Sequence, residues 1–220
     1  MRRLISIIIT FSLSRWLLYL FNLQFFHHLS LGEALKLYVY GMRFDMVITM
    51  SLTLPLIIYY CLPTRFITNK IPQWIIDILF ITINGVAIAL NFADIVYFHY
   101  IGEHITLHSH EFLRNSDEVT GGFMRQIFFD YWYISVVFAL FILLIMVVTQ
   151  RTRIKRPKDE DLSRWKRNQM IFLPIALLIS FISIRGGFQK NPISKDTALE
   201  YADPQNAPIL LNTPFSLLYN

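Results

Sequence analysis

The chain has 220 residues, 55% of them hydrophobic and only 16% charged, against about 25% charged in an ordinary soluble domain. That deficit excludes a conventional water-soluble fold, and the net charge of +5 points to a membrane surface rather than nucleic acid, because the basic residues sit beside apolar runs. The single cysteine, Cys61, excludes an internal disulfide framework or a cysteine zinc site.

Five apolar runs organise the chain. The first, Leu4 to Phe26, follows Arg2 and Arg3; it is too long for a signal-peptide core, contains Arg15 and lacks a small-x-small cleavage site, so it reads as a retained helix. The second, Met46 to Leu62, follows the polar-rich stretch from Gly32 to Asp45, contains Pro55, which predicts a kink, and stops at Pro63. Pro72 opens the third, which continues to Tyr97 with Asp77 and Asp94 near its two ends. The fourth, Tyr131 to Val148, begins with Tyr131, Trp132 and Tyr133, an aromatic cluster of the kind that marks a membrane interface. The fifth, Met170 to Ile184, is interrupted by Pro174; at roughly 15 residues it covers about 23 Å, which calls for flanking residues or a thinned bilayer.

Lysine and arginine are retained on the cytoplasmic side, and they crowd the segment between the fourth and fifth runs from Arg151 to Arg167. With five spans, Arg2, Arg3, Arg65 and Lys70 share that side, whereas residues 99–130 mix Arg114 and Arg125 with five acidic residues. This predicts an all-α, multi-pass protein of the bacterial plasma membrane, with the N-terminus cytoplasmic and the C-terminus outside. Residues 1–184 form the five-helix domain. Residues 185–220, punctuated by Pro192, Pro204, Pro208 and Pro214, form an extracytoplasmic and largely irregular linker.

Polar residues near the outer ends carry the candidate chemistry. Arg43 and Asp45 flank Phe44 at the mouth of the second span; they read either as a structural ion pair or as part of a site for a lipid head group, whose phosphate an arginine fork holds well. Asp94, followed by Tyr97 and Tyr100, lies at a similar depth and invites a shared polar pocket with Arg43. Arg185, before Gly186 and Gly187, is a third charge on the same face. His104 and His108 are spaced for one helix face, with His110 near, but no HExxH arrangement accompanies them, so no metal site is assigned. The chain shows no glycine-rich phosphate loop and no nucleophile elbow, so no catalytic centre of its own is expected.

Four short motifs occur in order: Gly41-Met42-Arg43-Phe44-Asp45; Asn91-Phe92-Ala93-Asp94 with Tyr97-Phe98; Arg185-Gly186-Gly187-Phe188-Gln189; and Asn212-Thr213-Pro214-Phe215. Together they resemble the membrane portion of the lipoteichoic acid synthase family, sulfatase-like phosphoglycerol transferases of the alkaline phosphatase superfamily. The resemblance spans essentially the whole chain. It implies that an extracellular catalytic domain, with a threonine nucleophile and a divalent metal (Mn or Mg), follows the helices and acts on a phosphatidylglycerol-type lipid. The sequence ends before that domain is expected, so the resemblance implies a fragment, with no cofactor in this chain and with Thr213 in linker rather than nucleophile context. Its remaining role is then to anchor that missing domain in the bilayer and to present the lipid. Arg43, Asp45, Asp94 and Arg185 match the family's outer-face polar positions. The stretch from His104 to His110 departs from the pattern, leaving donor and acceptor open, and the superfamily resemblance equally admits a sulfatase or phosphatase. The competing reading is a non-enzymatic scaffold or transporter subunit, for which Arg15 is the one charge placed within a span.

Overall fold

The computed structural model describes residues 2–64, 68–106, 129–153 and 162–219. Their regular elements are all helical, and five of the helices are long and apolar enough to cross a membrane. His108, His110, Arg114, Arg125, Arg65 and residues 154–161 of the basic turn lie outside the described residues.

Helix α1 (Arg2–Phe21) ends at Asn22, earlier than the apolar run does. Asn22 is fully buried, and its side-chain amide donates to the carbonyls of Leu18 and Ile95, so the chain turns there into the short α2 (Leu23–Phe26). Helix α3 (Leu31–Cys61) begins far ahead of the hydropathy signal at Met46. Ser30 and Glu33 form a capping box, each side chain accepting the other's backbone N–H, and this starts a 31-residue helix through the polar stretch. Pro55 is accommodated inside it, and Leu62 and Pro63 end it. Helix α4 (Lys70–Ile101) carries Pro72 in its first turn and stops at Gly102, whose left-handed φ of 79° suits glycine.

Helix α5 spans Trp132–Arg151 and α6 spans Leu162–Arg185. Pro174 does not interrupt α6, and the short fifth apolar run is lengthened by flanking residues, Leu162 to Gln169, that precede it in the same helix. Its 24 residues reach about 36 Å, of which the first third carries Arg164, Lys166 and Arg167.

Helix α1 lies at the centre against α3, α4 and α5, while α6 packs on the far side of α3. Ile7 and Phe11 of α1, Phe44 and Ile48 of α3, and Ile88 and Ile95 of α4 form the core. Only Ile145 and Thr149 of α5 and Ser180 of α6 are buried, leaving two outer helices with broad apolar faces. At one end Arg3 pairs with Asp77 (2.8 Å) and donates to Tyr60, to Thr152 and to the Thr149 carbonyl, while Arg153 reaches the same aspartate at 2.6 Å. The start of α1, the end of α3, the start of α4 and the end of α5 are thereby gathered together.

The chain beyond Arg185 lies at the opposite end, and, as its prolines suggested, it holds no long helix: turns join three short pieces. It forms α7 (Lys195–Leu199), a 3-10 turn (Ala207–Ile209) and α8 (Thr213–Leu218). Pro208 and Pro214 occupy first-turn positions, where a missing N–H costs no helical bond. Ile193, Ala198, Leu210 and Phe215 are buried, and Phe215 meets the Phe44 ring edge-on at 4.9 Å. The tail is thus seated on α1, α3 and α4.

Candidate functional site

The polar residues at the tail end come from elements far apart in sequence. Arg15, six residues before the end of α1, does not stand alone within a span: its Nη2 pairs with Asp45 Oδ2 at 2.8 Å, and both side chains are almost wholly buried. The same nitrogen donates to the Tyr38 carbonyl, Nη1 donates to the Leu210 carbonyl, and the guanidinium lies over the Tyr38 ring. Gly41 makes this possible, since a Cβ there would overlap the guanidinium. Asp45 is completed by Ser12 at 2.9 Å and by Asn212 at 3.0 Å. It therefore turns toward α1 and the tail, and the ion pair that the sequence suggested with Arg43 is not formed.

Asn212 serves two roles. Its Nδ2 donates to Asp45 while its Oδ1 accepts from Phe215 N, capping α8. The next backbone N–H, of Thr213, donates to Asn91 Oδ1, and Asn91 Nδ2 donates to Ser14. Asn91 and Asn212 do not stand out in the sequence as latches; an Asn before Thr-Pro-Phe is the one local signal, an N-cap followed by a first-turn proline.

Asp94 does not share a pocket with Arg43. It accepts from Ile105 N at 2.6 Å and from His104 Nδ1 at 2.5 Å, and His104 Nε2 reaches the Pro208 carbonyl at 3.0 Å. His104 lies beyond Gly102, outside α4. Burial pushes its pKa down, but the Asp94 charge and hydrogen bond, with the Pro208 carbonyl, outweigh that and raise it. Both partners of the ring are acceptors, which agrees with a proton on each nitrogen.

Arg43 donates to the Tyr201 hydroxyl at 2.5 Å, to the Gly186 carbonyl at 2.8 Å and to Gln189 Oε1 at 2.6 Å. Arg185 donates to the carbonyls of Gln189 and Lys190. Of the four candidate residues, only these two meet, through Gln189.

The four sequence motifs nonetheless converge: Asp45 on Asn212, Asn91 on Thr213, Phe44 on Phe215 and Arg43 on Gln189. Beneath the tail, Ser14, Arg15, Asn91, His104 and Asn212 help to line a cavity of about 10 Å³, room for no more than one water. An open polar groove of about 380 Å³ lies between the start of α3 and residues 199–206, and an apolar cleft of about 200 Å³ lies between α1, α4 and α5. Neither contains a candidate residue. Chemically the arrangement is a closed polar socket that holds a tail, with two arginines at its edge. No family model, curated protein or solved structure matches the chain.

Proposed function

We propose that this chain is the membrane domain of an envelope phosphoglycerol-transferase-like enzyme, anchoring an extracytoplasmic, divalent-metal-dependent catalytic domain above the outer leaflet of the bacterial plasma membrane. The observation that carries the reading is the convergence of the four motifs on the seated tail. A following domain joined to such a tail leaves the bundle from a defined place, instead of swinging on a free tether. Holding a catalytic domain close to a bilayer raises the effective concentration of lipid head groups at its site, a gain that orientation supplies without new chemistry. The N-terminus and the Arg3–Asp77–Arg153 cluster then face the cytoplasm, in keeping with the basic turn after Arg151. The alternative is a non-enzymatic scaffold or transporter subunit, for which the charge within a span is Arg15, paired with Asp45.

The test is to extend the protein through its own downstream reading frame and to measure Mn-dependent release of glycerol phosphate from phosphatidylglycerol vesicles. The extended protein is expected to turn over and the 220-residue chain is not. A downstream frame without a metal-dependent phosphoester-cleaving domain, or turnover by the short chain alone, overturns the proposal.

A further inference from the structure

The open groove of about 380 Å³ at the tail end of the bundle takes no part in the socket, and its volume is that of a small-molecule site. Two elements supply its polar walls. Glu33 and Lys36 come from the first turns of α3, and Glu200, Asp203 and Asn206 from the stretch between α7 and the 3-10 turn.

The charges on these walls are not spent on one another. Among the described residues neither the three carboxylates nor the Lys36 ammonium is in an ion pair. Glu33 gives one carboxylate oxygen to the Ser30 cap and keeps the other. Three carboxylates against one ammonium leave the groove with negative charge in excess. One wall group is also fixed in advance. Asn206 is only 8% exposed; its Oδ1 accepts from His28 Nε2 at 2.8 Å, and its backbone N–H donates to the Asp203 carbonyl at 2.8 Å. Its Nδ2 has no partner among the described residues, so a pinned and nearly buried amide offers an unmet donor where the residue lines the groove. Leu29, Leu37 and Leu199 complete the surface and suit a short aliphatic stem.

The complement of this lining is a molecule with one anionic group for Lys36 and the Asn206 amide, and two cationic nitrogens for the carboxylates, joined by a few methylenes. A neutral zwitterion would leave the excess negative charge unmet, and a simple diamine would leave both donors unmet. We propose that the groove binds a small basic amino acid of the lysine type, its carboxylate held by Lys36 and Asn206 and its ammonium groups by Glu33, Glu200 and Asp203. The site goes beyond the transferase reading and needs no downstream domain. A ligand held from both walls also ties residues 199–206 to the start of α3, so binding stabilises the seated tail.

The experiment is equilibrium dialysis of the full chain in detergent, at about 0.15 M salt to screen diffuse attraction, with isotopically labelled L-lysine as probe. Norleucine, which lacks the side-chain ammonium, and cadaverine, which lacks the carboxylate, are the competitors. Lysine is expected to bind saturably and each competitor about tenfold more weakly, the loss of roughly one charge-assisted contact apiece. Lys36→Gln is expected to erase the advantage of lysine over cadaverine, and Glu200→Gln with Asp203→Asn its advantage over norleucine. Each comparison is between ligands on one protein, so a change in the amount folded cancels. Asp196→Asn, which removes an exposed charge of the tail outside the groove, changes neither ratio. Bound lysine is also expected to slow amide exchange at residues 199–206. Absence of saturable binding overturns the site, as does either competitor binding as well as lysine. An equal loss in Asp196→Asn, or unchanged exchange at residues 199–206 with lysine bound, overturns it too.

Discussion

Arg15 and Asp45 are each almost fully removed from solvent, so each is tolerable only because the other is present. Asp45→Asn leaves a guanidinium buried without its counter-ion and is expected to destabilise by about 3–5 kcal/mol, whereas Arg15→Met combined with Asp45→Leu, which removes both charges, costs less than either single change. Thermal unfolding in detergent measures both, and additive losses would show that the pair is not coupled. His104 makes a second residue-scale prediction. Its neighbours are Asp94 on α4, Lys195 at the start of α7 and the Pro208 carbonyl, and the first and last of these hold its pKa above the ordinary value of 6.5. A raised folded-state pKa stabilises fully below the unfolded value and ceases to do so as pH climbs through the folded one. The melting temperature is therefore expected to fall as pH rises from 6.5 through that raised value, and His104→Gln should flatten the slope; an equal slope in that variant would refute the assignment. The charges themselves were legible from the sequence, but not their partners. Asp45 sits two residues from Arg43 and pairs with Arg15, thirty positions away, because a helix turns residues two apart to different faces.

The element that decides where the tail goes is the end of α6. Gly187 N–H donates to the Ile182 carbonyl and Gly186 N–H to the Ser183 carbonyl, a Schellman ending with Gly186 at φ 83°. A Cβ at Gly186 would also lie 2.6 Å from the Cβ of Ile193, where the chain turns back. Gly186→Ala is thus expected to cost at least the roughly 1–2 kcal/mol of left-handed strain and to make residues 190–219 more sensitive to protease. Gly32→Ala is its control: nothing lies within 4 Å, and alanine in the first turn of α3 should be neutral or stabilise by up to about 1 kcal/mol. Equal protease sensitivity in the two variants would disprove the role given to the α6 ending. Helix cores followed hydropathy, and helix ends did not. Ser30 and Glu33 start α3 well before its apolar run, and Pro174 leaves α6 intact, because a membrane helix is extended by capping and flanking turns that a hydropathy window does not weigh.

At the scale of the molecule, the five-helix architecture could be read from the sequence because each span carries its own apolar signal. The seated tail could not, since Ile193, Ala198, Leu210 and Phe215 are buried at no regular period and are brought inward by turns and short helices. The arrangement nonetheless makes the orientation testable. Arg3, Asp77 and Arg153 bind one end together and residues 186–219 occupy the other, so probes at the two ends must report opposite sides of a bilayer. In a Cys61→Ser background, Leu199→Cys places a thiol on a 52% exposed position of the tail, and Ile71→Cys places one on a 73% exposed position at the start of α4. A membrane-impermeant maleimide applied to intact cells is expected to label the first, and to label the second only after permeabilisation. The reverse pattern would invert the orientation and remove an external catalytic domain from the reading. Labelling of both thiols from the same side would contradict the odd number of crossings itself, since the Arg3–Asp77 pair and the Asp45–Asn212 latch cannot lie at one end of the same bundle.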